Sequence, residues 1–113
     1  MLMKAEKKPH YFFLQPVACL NYSLSNEEKG RIRCEENAGL LRSYHEMETY
    51  ILNNQDRIPI FSLTNIFRGA KEIYLDICHV NKIGNEIIAR KIVENINRVY
   101  WLFWFFNLIG VKR

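Results

Sequence analysis

The sequence predicts a small α/β domain in which a strand, a helix, a second strand and a second helix follow one another. Two short apolar runs, residues 11–16 and 57–63, have the length and composition of buried strands. Each run precedes a segment in which apolar residues recur at the three- and four-residue intervals of one helical face. This order is typical of a parallel α/β unit with a right-handed crossover.

The composition indicates a single folded domain. The chain has 113 residues, of which 49% are hydrophobic and 13% aromatic, and this is enough apolar material for a core. The formal net charge is +4, but the 16 basic residues are interspersed with 12 acidic ones along the chain. A nucleic-acid partner is therefore not expected, because such binding requires a concentrated basic face.

The first helix is predicted between residues 26 and 53. Ser25 and Glu28 have the spacing of a capping box, in which each side chain accepts a hydrogen bond from the other residue's backbone N–H. The segment forms one helix or two, since Gly30 or Gly39 could interrupt it. Its apolar face is expected to consist of Leu40, Leu41, Tyr44, Met47 and Ile51.

A loop separates the second strand from the second helix. Pro59 lies near the start of the strand, a position that suits an edge strand, and residues 64–69 are predicted to turn and to end at Gly69. Asn81 is a good N-cap for the second helix. The buried stripe of that helix is predicted to be Ile83, Ile87, Ile88, Ile92 and Ile96.

The cysteines and histidines suggest neither a disulfide nor a metal site. The chain has three cysteines, Cys19, Cys34 and Cys78, without C-x-x-C spacing, so a reducing compartment, by default the cytoplasm, is predicted. The histidines lie far apart in sequence, and no metal or other cofactor is implied. An apolar run after the first lysines imitates a signal peptide, but Gln15 and Pro16 interrupt it.

The candidate catalytic residues are Asp76 and His79, which lie in the loop before the second helix. Histidine is the usual base for activating a hydroxyl, and a carboxylate on its other ring nitrogen fixes the tautomer. Three residues' separation in a turn can bring the two side chains together. In the alternative interpretation, Asp76 only caps the turn and His79 is an ordinary loop histidine.

The segment "IYLDICHVNKIGNEIIARKI", residues 73–92, resembles the last conserved block of the SGNH hydrolases, also called GDSL-type esterases and lipases. That block has Asp-x-x-His, a glycine after the histidine, and a helix containing Ile-Ala. The residues that match it are Asp76, His79, Gly84, Ile88 and Ala89. A less specific similarity, in "YFFLQPV" and "IFSLTNIF", extends the region to about residues 11–96.

The resemblance implies a flavodoxin-like three-layer α/β/α fold and ester hydrolysis through an acyl-serine intermediate. His79 would be the general base and Asp76 would orient it. The family's Gly-Asp-Ser and Gly-x-Asn-Asp motifs are not in the chain, whose serines are Ser23, Ser25, Ser43 and Ser62. Cys78 is not expected to replace the serine, because adjacent side chains in an extended loop tend to point apart.

Residues 1–98 are therefore expected to be the carboxyl-terminal part of an SGNH domain that is inactive alone and acts on an ester when the whole domain is restored. An incomplete sheet would leave an exposed edge and favour self-association.

Residues 99–113, "VYWLFWFFNLIGVKR", form an aromatic-rich tail that is too short to span a bilayer. The tail could pack against the sheet or a partner, or contact a membrane surface through its aromatic rings with Lys112 and Arg113. An aberrant tail from a truncated or frameshifted reading frame is a third possibility. The alternative function is a noncatalytic α/β module that binds a protein partner or a membrane surface through this tail.

Overall fold

Two short parallel strands and two long helices form the frame of the domain. The computed structural model describes residues 10–110, apart from the side chains of residues 103, 106 and 107. In chain order the elements are β1 (Phe12–Leu14), α1 (Asn26–Lys29), a 3₁₀ helix (Cys34–Asn37), α2 (Ala38–Asn54), β2 (Ile60–Ser62) and α3 (Lys82–Leu108).

The two strands pair in parallel, with Phe12 opposite Ile60 and Leu14 opposite Ser62. The rings of Phe13 and Phe61 stack across the pair with their centroids 5.4 Å apart. Helix α2 lies between the strands in the chain and provides the crossover that a parallel pair requires. The predicted α/β class and the order of strand, helix, strand and helix are confirmed at this level.

The first predicted helix is broken at Gly30 and not at Gly39. The capping box forms as expected, since the Ser25 hydroxyl accepts from the Glu28 N–H and the Glu28 carboxylate accepts from the Ser25 N–H. Helix α1 then ends at the Gly30 cap after one turn. Gly39 lies inside α2, which begins at Ala38.

The buried faces of both long helices differ slightly from the predicted ones. In α2, Tyr44 and Ile51 are buried, whereas Leu40 and Met47 are exposed. In α3, Ile83 is 61% exposed, and Ile87 and Ile88 pack against the core. Periodicity locates a helical face only to within about one residue, so residues at its margins are assigned by packing.

Gly84 allows α3 to approach the preceding loop closely. A Cβ atom at this position would lie 2.7 Å from the Val80 Cβ and 2.9 Å from the Ile73 Cγ2. Any other residue would push the first turn of α3 away from residues 73–80. The glycine has a packing role here that its place in the sequence pattern does not reveal.

The core is formed by the segments that follow β1 and β2 in the chain. It is centred on the buried side chains of Ala18, Ile32, Phe67, Ile73 and Tyr74. The Tyr74 ring makes edge-to-face contacts with Tyr22 and Phe67, at centroid distances of 4.9 and 5.6 Å. The loop that carries Asp76 therefore begins at Tyr74, a residue of the buried core.

A disulfide joins Cys19 to Cys34, and the prediction of unpaired cysteines is wrong. Their Cα atoms are 5.6 Å apart across 15 residues of chain, because the neighbouring Ala18 and Ile32 pack into the same core. An odd number of cysteines does not prevent one pair from forming, and Cys78 is left as the free thiol. The cysteine count therefore no longer supports a reducing compartment.

Helix α3 continues across the predicted boundary between residues 98 and 99 to Leu108. Its 27 residues span about 40 Å at 1.5 Å per residue, in a molecule whose longest extent is 55 Å. Beyond residue 99 most described side chains are exposed, including Trp101 and Trp104. Within residues 10–110, no helix combines the length and the apolar character needed to cross a membrane. Lys112 and Arg113 lie outside the described residues.

Removing the disulfide should destabilise the protein. For a bridge that spans 15 residues, we expect the Cys19→Ser/Cys34→Ser variant to lose about 3 kcal/mol of unfolding free energy. Urea denaturation followed by circular dichroism measures this. The Cys78→Ser variant is the matched control and should retain the stability of the parent protein. Three reactive thiols in the unfolded, unreduced protein would contradict the pairing.

Candidate functional site

The candidate site is a narrow loop, residues 74–80, between the core and α3. Its ends are joined by an antiparallel bridge between Tyr74 and Val80. Inside the bridge the Leu75 N–H donates to the His79 carbonyl at 2.8 Å, and outside it the Asn81 N–H donates to the Ile73 carbonyl at 2.8 Å. These bonds hold residues 75–79 as one closed turn.

Asp76 organises the turn and meets His79, as the sequence predicts. Its Oδ1 accepts hydrogen bonds from the N–H groups of Cys78 at 3.0 Å and His79 at 2.7 Å. The His79 Nδ1 lies 2.8 Å from Oδ2 and 3.0 Å from Oδ1. The backbone N–H groups of Cys78 and His79, followed by the His79 ring, lower the pKa of Asp76 to about 2, so the carboxylate is ionised at neutral pH.

The His79 ring is both oriented and accessible. Its side chain is 74% exposed, and that of Asp76 is 53% exposed. Because Nδ1 is the nitrogen that faces the carboxylate, the favoured neutral tautomer places the proton on Nδ1 and the lone pair on Nε2. This arrangement can accept a proton from a group that approaches from solvent.

The Glu28 carboxylate hydrogen-bonds to the backbone at the start of the loop, a role that the sequence did not reveal. The side chain is completely buried, and its Oε2 accepts from the N–H groups of Ile73 at 3.2 Å and Tyr74 at 2.8 Å. The Tyr22 hydroxyl donates to the same carboxylate at 2.8 Å. Arg31 adds a bond to the Tyr74 carbonyl at 2.8 Å. Only the capping-box spacing marked Glu28, and that spacing accounts for its contact with Ser25 alone.

The charge of Glu28 is stabilised by these donors. Burial alone would raise its pKa, but hydrogen bonds from the Ser25 and Tyr74 N–H groups and from the Tyr22 hydroxyl outweigh burial and lower it. In turn, burial and the adjacent carboxylate raise the pKa of Tyr22 to about 12. Tyr22 therefore remains a donor, and Glu28 remains an acceptor, at neutral pH.

Cys78 lies closer to the candidate pair than expected. Its Sγ is 3.6 Å from the His79 Nδ1, so the expectation that these neighbours point apart is wrong. The chain does not run extended here, because Asp76 bends it into a turn. Burial, together with the negative charge and hydrogen bonding of Asp76, raises the pKa of the Cys78 thiol. The thiol is protonated at neutral pH and is not an activated nucleophile.

Three of the four serines have structural partners. The Ser25 hydroxyl caps α1, the Ser43 hydroxyl donates to the Gly39 carbonyl at 3.2 Å, and the Ser62 hydroxyl donates to Glu48 at 2.7 Å. None of these contacts involves His79. The oriented His79 base therefore has none of these three serines as a hydrogen-bond partner.

Neutralising Glu28 should destabilise the fold. In Glu28→Gln the amide group faces several N–H donors, and we expect a loss of about 1–3 kcal/mol of unfolding free energy, measured by urea denaturation. Glu27→Gln, an exposed change in the same helix, is the control and should stay within about 0.5 kcal/mol of the parent.

The pH dependence provides a second test of Glu28. Because its pKa is lower in the folded protein than its ordinary value of 4.5, its contribution is present above that value and is lost as the pH falls through the folded pKa. We expect the free energy of unfolding of the parent protein to fall below about pH 4.5, with a smaller fall in Glu28→Gln. Parallel pH profiles in the two proteins would contradict the role assigned to the carboxylate.

No family model matches the chain, and neither a curated protein nor a solved structure shows significant similarity to it. The resemblance to the SGNH hydrolases therefore stays a prediction from the sequence, chiefly from residues 73–92.

Proposed function

We propose that this chain is the carboxyl-terminal part of an SGNH-type serine ester hydrolase and supplies the histidine and aspartate of its catalytic triad. One observation carries the proposal. The Asp76 carboxylate holds the Nδ1 edge of the His79 ring at 2.8 Å, while 74% of the histidine side chain remains exposed. A base that is oriented on one side and open on the other is what a serine hydrolase requires.

The proposed mechanism assigns one role to each residue of the pair. The nucleophilic serine comes from a part of the domain outside this chain and transfers its proton to the His79 Nε2 as it attacks the ester carbonyl. Asp76, which is already ionised, stabilises the imidazolium that forms. The imidazolium then protonates the leaving alcohol. Water, activated by the same histidine, releases the acid from the acyl-serine.

The fold is compatible with this proposal. The parallel pairing of β1 and β2 is the arrangement that two neighbouring strands have in a flavodoxin-like sheet, with helices on its faces. The Asp-His loop follows β2, and its rigid support from Glu28 keeps the base in place. Within the described residues the sheet has two strands, and we propose that their open edges lead the isolated chain to self-associate.

The isolated chain is expected to lack esterase activity, and restoring the missing motifs should produce it. We expect a protein in which the upstream Gly-Asp-Ser and Gly-x-Asn-Asp segments precede residue 1 to hydrolyse a short-chain aryl ester. His79→Ala should lower kcat/KM by at least about 10³-fold because the base is lost, and Asp76→Asn should also lower it strongly.

The control for this experiment is His45→Ala, which removes an exposed histidine of α2 and should leave the ester hydrolysis unchanged. Full activity in the His79→Ala variant would disprove the catalytic assignment. An upstream sequence without either motif would favour the noncatalytic function instead.

A second candidate function is contact with a membrane surface through the end of α3. The exposed aromatic residues of this segment support it, since Tyr100, Trp101 and Trp104 are 53, 59 and 60% exposed. The rings of Trp101 and Phe105 stack on each other at 5.5 Å on the helix surface. Exposed tryptophans with nearby cations are typical of helices that lie at the lipid headgroups.

Vesicle flotation tests this second function. We expect the chain to float with vesicles that contain anionic lipid, and Trp101→Ala/Trp104→Ala to lower the bound fraction several-fold because less apolar surface enters the interface. Leu52→Ala, which removes a side chain that is 73% exposed on α2, is the matched control. Equal flotation of the double variant and the parent would exclude the tail as the anchor.

A further inference from the structure

We propose that Asp76, Cys78 and His79 form a binding site for a divalent transition-metal ion, and that Zn²⁺ fits it best. The three side chains each offer one ligand atom, and these atoms all lie within 4.8 Å of one another. No such site was predicted from the sequence, because the three histidines lie far apart in the chain and the spacing of Cys78 and His79 matches no familiar zinc motif. The turn at residues 75–79 brings the ligands together.

The distances are close to those of a tetrahedral zinc site. With Zn–S near 2.3 Å and Zn–N near 2.0 Å, a sulfur and a nitrogen at tetrahedral positions lie roughly 3.5 Å apart. The Cys78 Sγ and His79 Nδ1 are 3.6 Å apart. The Asp76 Oδ2 and His79 Nδ1 are 2.8 Å apart, so they must separate by roughly half an ångström to reach the tetrahedral spacing. The Cys78 sulfur and the Asp76 carboxylate lie within 4.8 Å of each other and must reach roughly 3.5 Å when they bind one ion. The Asp76 and His79 side chains are exposed, so neighbouring atoms leave room for these adjustments.

The chemistry of the donors selects the class of ion. A thiolate and an imidazole are ligands for Zn²⁺ and similar transition metals, whereas Ca²⁺ and Mg²⁺ prefer a full set of oxygen ligands. Three protein ligands leave the fourth zinc position open to water.

The Asp76 carboxylate also accepts hydrogen bonds that fix its orientation, as metal ligands usually do. The N–H groups of Cys78 and His79 donate to Oδ1, and this leaves Oδ2 as the oxygen nearest the imidazole. The closed turn and the buried Glu28 beneath it restrict the backbone that carries all three ligands. Little ordering of the chain is therefore needed when the ion binds.

Binding has a simple proton balance. The Cys78 thiol releases its proton to solvent as the Zn–S bond forms. The neutral imidazole keeps one proton, which exchanges through solvent from Nδ1 to Nε2 as Nδ1 becomes the ligand. The bound ion then carries one thiolate and one carboxylate, which together neutralise its two positive charges.

The ion and the proposed catalytic function exclude each other. Both use the His79 Nδ1, and a metal-bound Nδ1 leaves Nε2 protonated and unable to act as a base. Zn²⁺ would therefore inhibit the restored hydrolase; this consequence rests on the proposed function, whereas metal binding itself does not.

The test uses the isolated chain with its disulfide intact and Co²⁺ as a spectroscopic probe for the zinc site. We expect one equivalent of Co²⁺ to produce the near-ultraviolet charge-transfer band of a cobalt–thiolate bond, and Zn²⁺ to displace it. Cys78→Ser should abolish the band. Asp76→Asn, which keeps Oδ1 for the turn, and His79→Ala should each weaken metal binding at least about tenfold.

His45→Ala is the matched control and should bind Co²⁺ as the parent does. A parent protein that shows no thiolate band, or a Cys78→Ser variant that keeps it, would overturn the proposal. Far-ultraviolet circular dichroism checks that each variant is folded.

The rate at which Cys78 is alkylated in the unaltered chain provides a second measurement, which needs no variant and so does not depend on whether the variants fold. We expect Zn²⁺ to slow the reaction with iodoacetamide at least about tenfold, and an unchanged rate would also overturn the proposal. Esterase activity enters neither measurement, so loss of the proposed hydrolase function and absence of the metal site give different results.

Discussion

The candidate site depends on the buried carboxylate of Glu28. A charge with no exposure to solvent is stable only when it is fully hydrogen-bonded, and the donors to Glu28 come from separate segments: the Tyr22 hydroxyl, the Ser25 N–H, and the N–H groups of Ile73 and Tyr74. The segments must therefore meet for the protein to fold. Their meeting point is the base of the Asp-His loop, and the Cys19–Cys34 bridge closes the same region of the chain. A buried and hydrogen-bonded part of the protein thus supports an exposed turn.

We propose two kinds of chemistry for that turn, and which of them is possible depends on whether the His79 Nδ1 carries a proton or a metal ion. The His79 Nδ1 contacts the Asp76 carboxylate at 2.8 Å and the Cys78 sulfur at 3.6 Å. When Nδ1 carries a proton, Asp76 orients the ring and Nε2 is available as a base. When Nδ1 binds a metal ion, the carboxylate and the thiolate become ligands beside it. The same negative charge that favours a protonated Cys78 in the metal-free loop also attracts a cation to it.

Helix α3 connects the site to the aromatic segment, although the two ends of the helix lie in different environments. Gly84 packs its first turn tightly against the loop, and the half-buried line of the helix continues to Leu102. Beyond that point the described side chains, those of residues 104, 105 and 108–110, are exposed. A helix is extended at little cost once it has formed, because each added residue contributes another hydrogen bond. Tyr100, Trp101 and Trp104 are therefore held in regular positions on the helix but remain largely open to solvent.

Local features of the protein could be predicted from the sequence. The positions of both strands, the capping box and the contact between Asp76 and His79 involve neighbours in the chain or simple periodicity, so composition and spacing determine them. Tertiary structure decided the rest. The disulfide spans 15 residues, and the Glu28 side chain reaches backbone groups 45 and 46 residues away. The approach of Cys78 to His79 comes instead from the local turn that Asp76 forms, and it was missed because the loop was expected to be extended. The disulfide and the Glu28 contacts depend on how the segments pack, and no short-range pattern in the chain encodes their geometry.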